Sequence, residues 1–142
     1  MLLCDMNIGR ARGVRPSASP RHALEMMETN GYATLPVIDA NGELVGVITE
    51  SDARLLLAPA MAGPERSDPE AEVSAAMTSQ PAALGLQDGL ARALRILAEV
   101  SWDALPVTDG RRLIGILTRD AAMAAQAEND HRSGRPLAPA QP

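Results

Sequence analysis

Residues 31–39 read GYATLPVID, and residues 101–109 read SWDALPVTD. Both stretches contain Leu-Pro-Val, and they lie 70 residues apart. Each also carries one of two unique aromatics, Tyr32 and Trp102, in a chain with no phenylalanine. A duplication of this kind governs the fold more strongly than local propensity does. The match extends outward: Ala23-Leu24 recurs as Ala93-Leu94, and Gly46-Val47-Ile48-Thr49 recurs as Gly115-Ile116-Leu117-Thr118 at a spacing of 69. The lost residue falls between Asp39 and Gly46, in a turn, where a deletion is tolerated best.

Each copy reads as helix, strand, turn, strand, helix. In the first, Ser19 is a natural N-cap and Pro20 suits the first helical position. Leu24 and Met27 point inward, and Gly31 suits a left-handed stop. Two β-branched runs flank Asn41-Gly42, a strong hairpin signal. Pro36 cannot donate to a ladder and belongs at a strand's start or on an edge. In the second copy Asp88 is the expected helix cap and Asp109-Gly110 the hairpin turn. The helix that follows carries Arg92, Arg95 and Glu99 on a narrow stripe, leaving an apolar face wider than one sheet needs. Together with the alanine-rich last helix, this predicts a repeat–repeat contact plus a homodimer, or simply a helix well buried in one domain.

Composition narrows the function. An apolar content of 46% supports a core, which must be aliphatic. A net charge of −5 argues against nucleic acid as a partner. No apolar run approaches the ~18 residues of a membrane span. The single cysteine, Cys4, forms no internal disulfide, and Asp5 interrupts any signal-like start, so a cytoplasmic protein is expected. His22 and His131 are isolated and no cysteine cluster exists, so no metal site is expected. No nucleophile–base constellation or glycine-rich phosphate loop marks an enzyme. Residues 59–72 read as a linker with a short helix starting near Asp68, and residues 127–142 as a disordered tail.

The ordered series of Ala-Leu, Gly-aromatic, Leu-Pro-Val and Gly-apolar-apolar-Thr, twice in tandem, resembles the CBS domain pair, or Bateman module. Met6 and Met77 resemble the methionine that opens each unit. Gly13-Val14-Arg15-Pro16 and Ala83-Leu84-Gly85-Leu86 resemble the lead into the first helix. The resemblance implies an α+β fold of two tandem β-α-β-β-α repeats, residues 1–58 and 73–126, packed pseudo-symmetrically. It also implies a free-standing, non-catalytic regulatory module that binds a small-molecule nucleotide between the repeats. The ligand would be AMP, ADP or ATP, less readily S-adenosylmethionine or a guanine nucleotide. Homodimerisation and an effector protein that the sequence does not name are further implications. The alternative is a homodimeric scaffold of the same fold with no ligand.

Carried over by residue, one cleft takes Val47, Thr49 and Asp52 with Ala83, Trp102, Asp103 and Ala104. In the family the aspartate accepts ribose hydroxyls, the threonine supports the sugar or phosphate, and the loop main chain reads the base. The other cleft takes Ile116, Thr118 and Asp120 with Gly13, Tyr32 and Ala33. This second cleft departs from the pattern, because Asp120 follows Thr118 by two residues instead of three and Ala121 fills the expected place. One competent and one weakened cleft are therefore expected. Thr49 and Asp52 equally fit a helix cap. Asp103 is expected either to face solvent or to receive two N–H groups of a guanine. Arg12, Arg15, Arg54, Arg111, Arg112 and Arg119 are the candidate phosphate partners. Tyr32 and Trp102 either seal the core or wall a base.

Overall fold

The computed structural model describes residues 2–3, 8–9, 12–57, 71–79 and 81–132. Cys4, Met6, nearly all of the expected linker with its helix start near Asp68, and residues 133–142 lie outside the described residues. In the first copy helix α1 (Pro20–Asn30) precedes a hairpin of β1 (Thr34–Ile38) and β2 (Leu44–Thr49), then helix α2 (Glu50–Leu57). A short 3-10 turn (Val73–Ala75) leads to β3 (Thr78–Ser79) and β4 (Leu84–Gly85). The second copy continues with α3 (Leu90–Glu99), β5 (Ala104–Asp109), β6 (Arg112–Thr118) and α4 (Arg119–Arg132).

Local chemistry explains most boundaries. The Ser19 hydroxyl accepts the His22 N–H at 3.1 Å, Pro20 opens α1, and Gly31 closes it at φ +83°. Gly42 takes φ +81° in the first hairpin turn, where an Asp39 carboxylate oxygen accepts the N–H groups of Asn41 and Glu43. Gly110, at φ +66°, turns the second. Both hairpins slip register at equivalent places, after Val37 and after Val107. Pro36 lies inside β1, an edge strand in the order β1-β2-β3, so its missing donor leaves no gap in the β1–β2 ladder.

Two expectations are corrected. Asp88 does not cap α3. Gly89 holds the N-cap position without a side-chain bond, and the Asp88 carboxylate closes the preceding turn by accepting the Gly85 N–H at 2.7 Å. Asp88 lies one residue too early to reach the first free N–H groups of the helix. The predicted tail from residue 127 instead begins as helix, since α4 runs to Arg132. Apolar periodicity stops earlier, but alanine-rich sequence and an i,i+4 bond from Gln126 to Asp130 carry the helix onward.

The packed halves do not coincide with the sequence copies. β3 precedes the second-copy helices yet pairs antiparallel with β2, placing Gly46 opposite Ser79 and Val47 opposite Thr78. Gly9 likewise bridges to Ile116, whose N–H donates to the Gly9 carbonyl at 3.0 Å. One core therefore joins Val73 to Ala23, Met27, Leu35, Val37, Ile48 and Ala53. The other joins Leu3 to Leu84, Leu90, Leu97, Leu105, Val107 and Leu117. The opening segment of each repeat completes the core of the other. The hairpin tips also pair across the halves: Leu44 N–H donates to Arg111 O at 2.8 Å and Leu113 N–H to Gly42 O at 3.0 Å.

The crossings depend on two equivalent glycines. A Cβ at Gly46 would stand 2.9 Å from the Thr78 carbonyl oxygen, and one at Gly115 would stand 2.9 Å from that of Gly9. Backbone cannot move aside as a flexible side chain can. Gly46→Ala and Gly115→Ala should each cost about 1–3 kcal/mol in chemical denaturation, by overpacking. Gly9→Ala, whose Cβ would meet nothing closer than 3.8 Å, should change stability by less than about 0.5 kcal/mol, as an unstrained surface change does.

Candidate functional site

β2 passes into α2 without a loop, so Thr49 stands at the N-cap and Asp52 three residues on. The Thr49 hydroxyl accepts the Asp52 N–H at 3.3 Å, and the Asp52 carboxylate accepts the Thr49 N–H at 3.4 Å. This is a reciprocal capping box. In the second copy the Thr118 hydroxyl accepts the Ala121 N–H at 3.1 Å, while Asp120 stands one position earlier in the helix.

Asp103 has a role that neither expectation named, a tie across the repeat interface. Its half-buried carboxylate reaches the other repeat. One oxygen accepts the Ala33 N–H at 2.8 Å and the other the Thr34 hydroxyl at 2.7 Å, across the repeat interface. Thr34 is nearly fully buried, so this bond satisfies a hydroxyl that water cannot reach. Ala33 is the position equivalent to Asp103, so the tie runs one way only. The main chain is symmetric by contrast: Glu50 N–H donates to Ala33 O, and Arg119 N–H donates to Asp103 O. Beside this carboxylate the Tyr32 phenol is held above its ordinary value of 10.0, first by burial and then by the negative charge of Asp103.

Arg119, a candidate phosphate partner from sequence, is engaged with main-chain carbonyls. Its guanidinium donates to the carbonyls of Leu97 at 2.8 Å, Val100 at 3.4 Å and Trp102 at 2.6 Å. It therefore holds the end of α3, where a cation is favourable, and the corner that presents Trp102. The carbonyls of Trp102 and Asp103, expected to read a base edge, thus already accept from Arg119.

Around this corner lies a cavity of about 520 Å³ lined from both repeats. Thr49, Asp52, Trp102 and Asp103, named from sequence, meet there. Val47 and Ala104 are buried in their strands and Ala83 is half-buried, and none of the three lines it. Ala33, assigned from sequence to the other cleft, lines this one with Thr34, Glu50, Ser51, Thr78 and Ser101. Thr78 arrives only because β3 crosses to the first sheet, which no local signal in the sequence announces. A smaller cavity of about 230 Å³ brings Tyr32, Thr118 and Asp120 together with Asn30, Gly31, Asp103 and Arg119. Gly13 and Ile116 do not line it; Gly13 packs against Ile38 and Pro36 and Ile116 is buried. A third space of about 530 Å³, on the α1 side, is lined by Leu24, Met27, Glu28, Tyr32, Glu50 and Arg54 among others.

A family model described as CBS domain matches residues 13–58 and 72–128. The chloroplastic CBS domain-containing protein CBSX2 of Arabidopsis thaliana is 33% identical over 131 residues, covering 75% of this chain and 54% of the relative. Inosine-5'-monophosphate dehydrogenase of Escherichia coli (strain K12) is 33% identical over 109 residues, covering 74% of this chain and 20% of the enzyme. The chain thus spans about half the length of the first relative and a fifth of the second. Among solved structures, CBSX2 in complex with AMP superposes with a TM-score of 0.74 at 30% identity, covering 91% of this chain and 98% of that one.

The Asp103 tie and the Tyr32 phenol are testable together, because Tyr32 is the only tyrosine. Half-ionisation read by near-ultraviolet absorbance should fall above the ordinary pKa. A raised folded-state pKa means this stability contribution is whole below pH 10.0 and is lost as pH rises through the folded value. Asp103→Asn should lower the half-ionisation pH only part of the way, since burial remains. Asp103→Ala should cost about 1.5–3 kcal/mol in denaturant unfolding, the range for hydrogen bonds to a charged group.

Proposed function

The chain belongs to the CBS domain family, and on that premise we propose a regulatory sensor module that binds an adenosine ligand between its repeats. The carrying observation is the cavity of about 520 Å³, which joins Thr49 and Asp52 of one repeat to Trp102 and Asp103 of the other. In this reading the Asp52 carboxylate accepts the two ribose hydroxyls, an arrangement suited to a charged acceptor facing a cis-diol. Thr49 supports the sugar and the Trp102 ring walls the base. A ligand touching both repeats favours one relative arrangement over others in proportion to its differential affinity. That shift is the signal passed to an effector protein. The AMP held by CBSX2 supports the adenine choice. The two donors already on the Asp103 carboxylate weigh against guanine.

A homodimer belongs to the same reading, supported by Leu55 on α2 and Met123 on α4, which are 72% and 59% exposed. So does a cytoplasmic location. No helix among the described residues is long and apolar enough to cross a membrane.

One observation favours a ligand-free scaffold instead: the capping box already engages Thr49 and Asp52 with each other. Thermal shift with AMP, ADP, ATP, GTP and S-adenosylmethionine separates the two. A true ligand at ~100-fold over Kd adds ~2.7 kcal/mol and several degrees of Tm. Quenching of the single tryptophan should accompany it. Asp52→Ala should lose ~1.5–3 kcal/mol of affinity and Asp120→Ala far less. Absence of any shift at millimolar concentration leaves the scaffold standing, and equal losses at both aspartates contradict the choice of cleft.

A further inference from the structure

We infer that this cleft selects an adenosine derivative whose 5′ substituent is neutral or positively charged, over one carrying a run of phosphates. The inference rests on the adenosine reading above and narrows it to a ligand charge.

Three carboxylates, Glu50, Asp52 and Asp103, line the cavity, and its other polar side chains are hydroxyls and the Trp102 indole. No arginine lines it among the described residues, and the chain contains no lysine. The arginines best placed by sequence are engaged elsewhere. Arg119 donates to three carbonyls at the end of α3 and the corner after it. Arg54 pairs with Glu50 at 3.0 Å, and Arg12 lines a separate hollow with His22 and Glu25. With Glu50 matched by Arg54, the charges of Asp52 and Asp103 still have no ion-pair partner among the described residues.

A helix N-terminus would ordinarily attract phosphate. Here the first turn of α2 already carries Glu50 and Asp52, and the Asp52 carboxylate accepts the N-cap N–H itself. The positive end of the helix is thus occupied by the protein's own anions. A second anion brought there meets like charge in a partly desolvated space, where repulsion is stronger than in water.

The test is equilibrium binding to the full chain at fixed ionic strength without magnesium, using adenosine, 5′-methylthioadenosine, S-adenosylmethionine, AMP and ATP. The neutral or cationic compounds should bind tightest, with ATP weaker by about tenfold or more. Raising salt from about 0.05 to about 0.5 M should weaken S-adenosylmethionine and leave 5′-methylthioadenosine nearly unchanged, since screening acts only on the charged ligand. Glu50→Gln, outside the capping pair, should narrow the ratio between ATP and 5′-methylthioadenosine severalfold. ATP or AMP binding as tightly as the uncharged compounds overturns the charge selection while leaving the adenosine site intact. An unchanged ratio in Glu50→Gln overturns its electrostatic cause. If no compound binds, the adenosine reading falls and this inference with it.

Discussion

The space above Gly46 and Gly115 decides how this chain packs. At each of these two equivalent positions another stretch of backbone lies directly against the sheet, its carbonyl oxygen where a Cβ would need room. Through these contacts residues 8–9 reach β6 and residues 78–79 reach β2. Leu3 and Val73, deep in the core of the other repeat, follow them. Neither repeat contains all the apolar side chains that its own sheet must bury. Small cores are marginal when incomplete, so the duplication yields one interlocked body and not two beads on a string.

On this symmetric frame the binding corner is asymmetric. The main-chain bonds repeat faithfully, with Glu50 serving Ala33 as Arg119 serves Asp103. The side chains do not. Asp103 reaches across to Ala33 and Thr34, and Ala33 has nothing to return. Arg119 fastens the end of α3 and the Trp102 carbonyl, while its counterpart Glu50 turns to Arg54 on its own helix. The second repeat, whose aspartate has shifted to position 120, thereby lends its corner to the cavity built on Thr49 and Asp52. The two hollows differ accordingly, at about 520 and 230 Å³.

Features set by neighbours in sequence were legible from the residues alone. The Ser19 cap, the Gly31 stop, the Gly42 and Gly110 turns and the hairpin matches follow from side chains acting within a few positions. Features set by distant partners were not. Gly46 and Gly115 were visible as a recurring motif, but the motif does not say that backbone from elsewhere lies on them. Asp103 reads as a surface or ligand-facing acid until Thr34 is seen opposite. Thr78 and Ser101 join the cavity through the crossing of β3 and the placement of the corner. The end of α4 was missed for another reason: apolar periodicity reports packing, whereas helix propensity and an i,i+4 bond sustain its last turns.

The exchange of opening segments also orders events during synthesis. The residues around Gly9 leave the ribosome well before their strand partner, Ile116, is made. The first sheet can close as soon as residues 73–79 emerge. The segment at Gly9 meanwhile stays without its strand partner until β6 exists. Such long-range closure is slow and leaves a sticky edge open in the interval. A chain of this topology therefore carries its period of greatest aggregation risk in the segment around Gly9, in the interval before β6 has been translated.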